Sequence, residues 1–96
     1  VDDDLLRYMA DLARATREDY RVDVGVSPRG TQRLFEAARA MATIAGRAYV
    51  APDDIKRVAQ PVLAHRLVLT PDARVEQVDE GTVIQSVLDE VPVPTV

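Results

Sequence analysis

Apolar and polar residues alternate along this chain with the period of helices. Leu5, Leu6, Met9, Leu12 and Ala13 fall on one helical stripe. Asp2, Asp3 and Asp4 stand ahead of it, where carboxylates favour a helix N-terminus. The pattern predicts a helix from Asp3 to about Arg17. Glu18 to Val26 has no stripe and reads as a loop closing on Gly25. A second stripe, Leu34, Phe35, Ala38, Met41, Ala42 and Ala45, predicts a helix from Pro28 to about Ala45. Its alanines and single phenylalanine suit a close-packed face at the centre of a bundle. Gly46 is the expected stop.

Ala48-Tyr49-Val50 reads as a short extended link. A third helix opens at Ala51-Pro52-Asp53-Asp54, with Pro52 at its first position and acids in its first turn. Ala51 is a poor N-cap, so a loose start is expected. Ile55, Val58, Ala59, Val62 and Leu63 form the inner face, and Pro61 is expected to kink or break the helix by removing a hydrogen bond. Leu67-Val68-Leu69 reads as a brief extended run ending at Thr70-Pro71. Asp72 to Asp79 fits no single pattern. The last helix is expected from Glu80 to Glu90, capped by Asp79, with Val83, Ile84, Val87 and Leu88 facing in. The pattern predicts an all-α fold, a small four-helix bundle over residues 1–91 with a flexible tail over 92–96. At most it allows a minor two-stranded pairing, between the start of the chain and Tyr49-Val50.

Length and composition narrow the chemistry. Ninety-six residues make one small domain. There is no cysteine, hence no disulfide framework, and one histidine does not build a metal site. His65, with Arg66 at the end of the third helix, reads as a packed or capping side chain. No catalytic set is arguable, so no catalytic residue is assigned. Asp53 and Asp54 are explained by the helix start they occupy. The formal net charge of -4 is uneven, with 11 basic against 10 acidic side chains up to Arg66, then only Arg74 against six acids. An acidic chain lacks the basic stripe that nucleic acid requires. No apolar run is long enough to span a membrane, and a cytoplasmic protein is expected.

The stretch with chemistry to offer is Gly25-Val26-Ser27-Pro28-Arg29-Gly30. Ser27 is a good N-cap and Pro28 suits the first helical position. Arg29 then stands at the positive end of a helix dipole, beside backbone N–H groups lacking helical partners. Gly30 lets another group approach the backbone. Such a place favours an anion, phosphate above all. The same residues are also simply a well-made helix start, and Glu36 can neutralise Arg33 one turn on, so the pattern alone leaves both readings open.

Several motifs in order carry a resemblance: Gly25 to Gly30, then Ala37-Ala38-Arg39-Ala40, then Gly46-Arg47-Ala48-Tyr49-Val50-Ala51-Pro52-Asp53-Asp54-Ile55, then Val62-Leu63-Ala64-His65-Arg66. Together with the Thr16-Arg17 end of the first helix and the Val91-Pro92-Val93-Pro94 tail, they resemble the C-terminal lid domain of MoxR-type AAA+ ATPases. Val26 and Ala51 depart from the usual alanine and threonine. The resemblance implies a helical lid that packs on an upstream AAA+ core of the same chain, with a further lid helix before Val1. It implies that Arg29, supported by Ser27, Pro28 and Gly30, is the sensor-2 arginine reaching the ATP γ-phosphate. ATP and Mg²⁺ would then be bound by the parent protein, an ATPase, and neither by this domain alone. Neighbouring subunits of a ring, hexameric by that analogy, would be partners in chaperone-like remodelling or metal insertion on an unidentified client. A free-standing helical interaction module with no nucleotide role is the alternative.

Overall fold

The computed structural model describes residues 3–94. Asp2 of the acidic cluster and Thr95–Val96 of the expected tail lie outside the described residues. In chain order the elements are α1 (Asp3–Glu18), β1 (Val22–Val24), α2 (Pro28–Ile44), α3 (Pro52–Leu63), a 3₁₀ turn (Ala64–Arg66), β2 (Val68–Leu69), α4 (Pro71–Val75) and α5 (Glu80–Glu90). The fold is helical with one small antiparallel sheet, as the pattern predicts. The additional short helix α4 falls in the stretch that fitted no pattern. Thr70 caps it, its hydroxyl accepting from the Ala73 amide at 3.2 Å. It ends where Gln77 takes a left-handed φ of 62° and the Val78 amide donates to the Ala73 carbonyl at 3.0 Å.

The closest helix pair is α2 on α3; α1 packs on α2 and α5, and α5 packs on α3. The alanines explain the α2–α3 approach. Leu34, Ala38 and Ala42, spaced by four, are buried, and Ile55 and Ala59 of α3 are fully buried with them. This face is narrower than the stripe in the sequence. Phe35 lies about 100° round the helix from Leu34 and is only half-buried, as is Met41, while Ala45 is exposed. The expectation that Phe35 sits at the centre of the bundle is therefore corrected: it flanks the centre. The same rotation turns Leu6 outward on α1, while Tyr8 and Thr16 join Leu5, Met9, Leu12 and Ala13 inside.

Local signals held where a side chain could do the capping. Asp79 accepts from the Thr82 amide at 2.7 Å and opens α5. Gly46, at φ +79°, closes α2 in a conformation that suits glycine. The start of α3 is tighter than expected. Ala51 offers no side-chain acceptor, but the Asp54 carboxylate accepts from the Ala51 amide at 2.7 Å. Pro61 does not end α3. It is exposed two residues from the end, where one lost bond to Arg57 faces water, and the chain tightens into the 3₁₀ turn after Leu63. The β pairing also lies elsewhere than expected. Val22–Val24 pairs with Val68–Leu69, Val22 opposite Leu69 and Val24 opposite Val68, with an irregularity between. Tyr49 is exposed and its segment forms no ladder. A three-residue strand is too short for its alternation to stand out from a loop.

Candidate functional site

The C-terminal end of α1 fixes the segment that leads into α2. The buried Thr16 hydroxyl donates to the Ala13 carbonyl at 2.6 Å and accepts from the Val26 amide at 3.0 Å. The Arg17 guanidinium donates to the Val26 carbonyl at 2.8 Å. Gly25 passes so close to α1 that a Cβ there would stand 2.7 Å from the Arg17 Cα. Val26 is fully buried. Both backbone groups of the residue before the cap are thus held, and Ser27 enters α2 at a set angle.

Ser27 adopts the extended conformation of an N-cap, and its hydroxyl accepts from the Gly30 amide at 3.2 Å. Pro28 has no N–H to place. That leaves the Arg29 amide as the one first-turn donor, among the described residues, without a partner. The sequence suggested several open amides; the cap uses one and proline removes another. The Arg29 side chain is exposed and has no ion-pair or hydrogen-bond partner among the described residues. The first turn of α2 contains no acid, whereas the first turns of α1, α3, α4 and α5 each do. Arg33, one turn on, is neutralised by Glu36 at 3.2 Å, both half exposed.

Gly30 is buried, and the room it leaves is used from inside the domain. A Cβ there would stand 2.8 Å from the Val26 Cγ1 and 3.4 Å from the Arg66 Cδ. Arg66, in the sequence only a cation ending the third helix, is thereby brought beside the first turn of α2. His65, its neighbour, is exposed and not packed. The result is a pole of positive charge: the α2 dipole, one open amide and two arginines. No group of three or more His, Cys, Asp or Glu side chains that could hold a metal ion occurs among the described residues.

At the opposite end of α2 lies a cleft of about 920 Å³, bounded by Asp4 and Leu5 of α1, Phe35, Arg39 and Thr43 of α2, the Arg47–Pro52 link and Pro94. The Arg39 guanidinium stands 5.5 Å from the Phe35 ring centre and that of Arg47 stands 5.8 Å from the Tyr49 ring centre. Arg47 also donates to the buried Asp54. Burial pushes the Asp54 carboxyl up, but the Arg47 guanidinium and the Ala51 amide outweigh it and hold it below the ordinary value. Sequence reasoning explained Asp54 by the helix dipole alone and missed this pair.

Residues 14–87, which include Thr16, Arg17, the whole Gly25–Gly30 turn and Arg66, match the AAA lid domain family. The chain belongs to the AAA lid domain family. This AAA lid domain is similar to YeaC of Bacillus subtilis, at 38% identity over 94 residues, covering 98% of the chain and 29% of YeaC. It is also similar to the chaperone MoxR1 of Mycobacterium tuberculosis, at 44% identity over 75 residues, covering 78% of the chain and 20% of MoxR1. Among solved structures, the crystal structure of a candidate ATPase from Cytophaga hutchinsonii superposes with a TM-score of 0.90 at 31% identity, covering 98% of the chain and 31% of that protein. The chain therefore spans less than a third of the length of these relatives. It is homologous to a C-terminal part of MoxR proteins.

Proposed function

We propose that this AAA lid domain serves a larger MoxR-type ATPase, in which Arg29 is the sensor-2 arginine that reaches the phosphates of ATP·Mg²⁺. The observation that carries the reading is an exposed, unpaired Arg29 beside an open amide, on a helix start without an acid. These groups fit a polyphosphate. The guanidinium offers planar paired donors, and the amide and dipole add to the same field. Hydrolysis needs a phosphate loop, its lysine and Mg²⁺ ligands, which belong to an AAA+ core. The role of this domain is to orient Arg29 through the Thr16–Arg17–Val26 anchorage and to stabilise charge on the transferring phosphoryl group. By the same reading the parent assembles as a ring, six-membered by family analogy, in the cytoplasm. Because the relative MoxR1 is named a chaperone, the proposal extends to chaperone-like remodelling of a client, metal insertion being one form of it. No helix among the described residues is long and apolar enough to cross a membrane.

The test is Arg29→Ala in the intact ATPase. Turnover should fall by roughly 10²-fold or more, the usual effect of losing one donor to developing charge. Arg29→Lys should restore little of it, and Arg33→Ala should matter less. The domain by itself should neither hydrolyse ATP nor bind it tightly. Unchanged turnover in a folded Arg29→Ala protein would leave the second reading, an interaction module without a nucleotide role. The aromatic, basic cleft at the other end of α2 is the observation that favours that reading.

A further inference from the structure

Arg66 stands far from Ser27 in sequence, yet its stem lies against the first turn of α2, its Cδ 3.4 Å from where a Cβ on Gly30 would be. Its Nε is fully covered and has no hydrogen-bond partner among the described residues. No carboxylate among the described residues pairs with the guanidinium. Both circumstances are unfavourable within the domain taken by itself. A covered donor without an acceptor forfeits its hydration, and a cation beside the positive end of a helix dipole is repelled by it. An acid in the first turn of α2 would offset the repulsion, and there is none.

We infer that Arg66 is a second arginine of the Arg29 site and binds the same nucleotide phosphates. The ligand assignment rests on the reading of Arg29 given above; the unsatisfied Arg66 does not depend on it. A polyphosphate carries several charges on separate oxygens, more than one guanidinium and one amide can satisfy. Arg66 comes from a different element than Arg29, so the two grip the ligand from the start of α2 and from the turn after α3. Its stem lies against Gly30, so part of its side-chain freedom is already given up before binding. The missing side chain at Gly30 has a use here: a Cβ would press on Val26 and fill the remaining space beside the Arg66 stem.

The experiment uses the full-length ATPase that contains this domain. It measures the ATP dissociation constant without turnover, and the unfolding temperature with and without ATP, for Arg66→Gln, Arg66→Lys, Arg29→Ala and the Arg29→Ala/Arg66→Gln pair. Arg66→Gln is expected to weaken ATP binding by roughly tenfold to a hundredfold, the worth of a hydrogen bond to a charged group. It should also shrink the ATP-induced rise in unfolding temperature without lowering the unliganded temperature. A purely structural Arg66, or one that pairs with a carboxylate of the core, would instead lower the unliganded temperature and leave ATP affinity intact; that result overturns the inference. Should Arg66→Gln fail to fold, Arg66→Lys decides, because it keeps the stem and loses the planar fork. Weakened ATP binding supports the inference, and unchanged binding overturns it. Loss of affinity in Arg29→Ala but not in either Arg66 variant sinks Arg66 alone. Loss in the Arg66 variants but not in Arg29→Ala sinks the Arg29 reading and leaves Arg66 standing.

Discussion

Replacing Asp54 with alanine should cost the domain about 3–4 kcal/mol, close to the penalty for breaking a buried ion pair by removing one partner. Asp54 is 1% exposed, and its carboxylate accepts from both the Arg47 guanidinium and the Ala51 amide. Each is a charge-assisted bond with a net worth of about 1.5–3 kcal/mol. The sum is discounted because Arg47 keeps 28% of its side chain exposed and can turn to water once released. The Ala51 amide loses its acceptor, and with it α3 loses its N-terminal cap, since Ala51 itself has none to give. Against a total stability of roughly 5–15 kcal/mol, the loss should be plain in a urea titration read by helical circular dichroism. The pH dependence gives a second reading with a definite sign. The Asp54 carboxyl is held below its ordinary value in the folded state. Its contribution is therefore fully present above the unfolded value near 3.9 and is lost as the pH falls through the folded one. The gap between wild type and Asp54→Ala should thus close below about pH 4. Arg47→Ala should also approach wild type as the pH falls, but because its own stability rises: the buried carboxylate left without its partner is eased by protonation. A stability difference under about 0.5 kcal/mol at pH 7, the scale of an ordinary surface substitution, would refute the argument.

Phe35→Ala should cost about 1–2 kcal/mol, well short of the 3–5 kcal/mol for a fully buried ring, because Phe35 flanks the core and lines the cleft. A loss above 3 kcal/mol by denaturant titration would return Phe35 to the centre of the bundle. Gln77→Gly should stabilise by about 1 kcal/mol, relieving a side chain held at φ 62°. For a domain of this size that is roughly a 4–8 °C rise in unfolding temperature, and a fall would contradict the strain argument.

The elements legible in the sequence were those whose evidence is local and repeated. Four apolar stripes, the Ser27 and Asp79 caps and the Gly46 stop each lie within a few residues of the feature they specify. What escaped depends on partners far apart in the chain. Three residues of β1 have meaning only opposite Val68 and Leu69. Asp54 appears as one more acid at a helix start until Arg47 is folded onto it. Phe35 belongs to the right stripe, but which third of a stripe faces the centre is decided by the neighbouring helix. At the candidate site, Ser27, Pro28 and the exposure of Arg29 were readable from capping rules. The use of Gly30 was not. Its empty side is filled by Val26 and Arg66, and the approach of Arg66 is a property of how α3 and its 3₁₀ turn return to the start of α2.

The antiparallel course of α1 and α2 has a mechanical consequence. Asp4, Leu5 and Pro94 all border the cleft at the C-terminal end of α2, while Arg29 stands at its other end. From Arg29 to Thr43 the helix rise of 1.5 Å per residue gives roughly 21 Å. For any rigid rotation pivoting at the cleft, that length is a lever arm. A turn of about 5° carries the start of α2 through roughly 2 Å, twice the misplacement that can cost a hundredfold in rate. A disturbance at the cleft bordered by Asp4, Leu5 and Pro94 would thus register as a displacement of Arg29 at the far pole, without any helix bending.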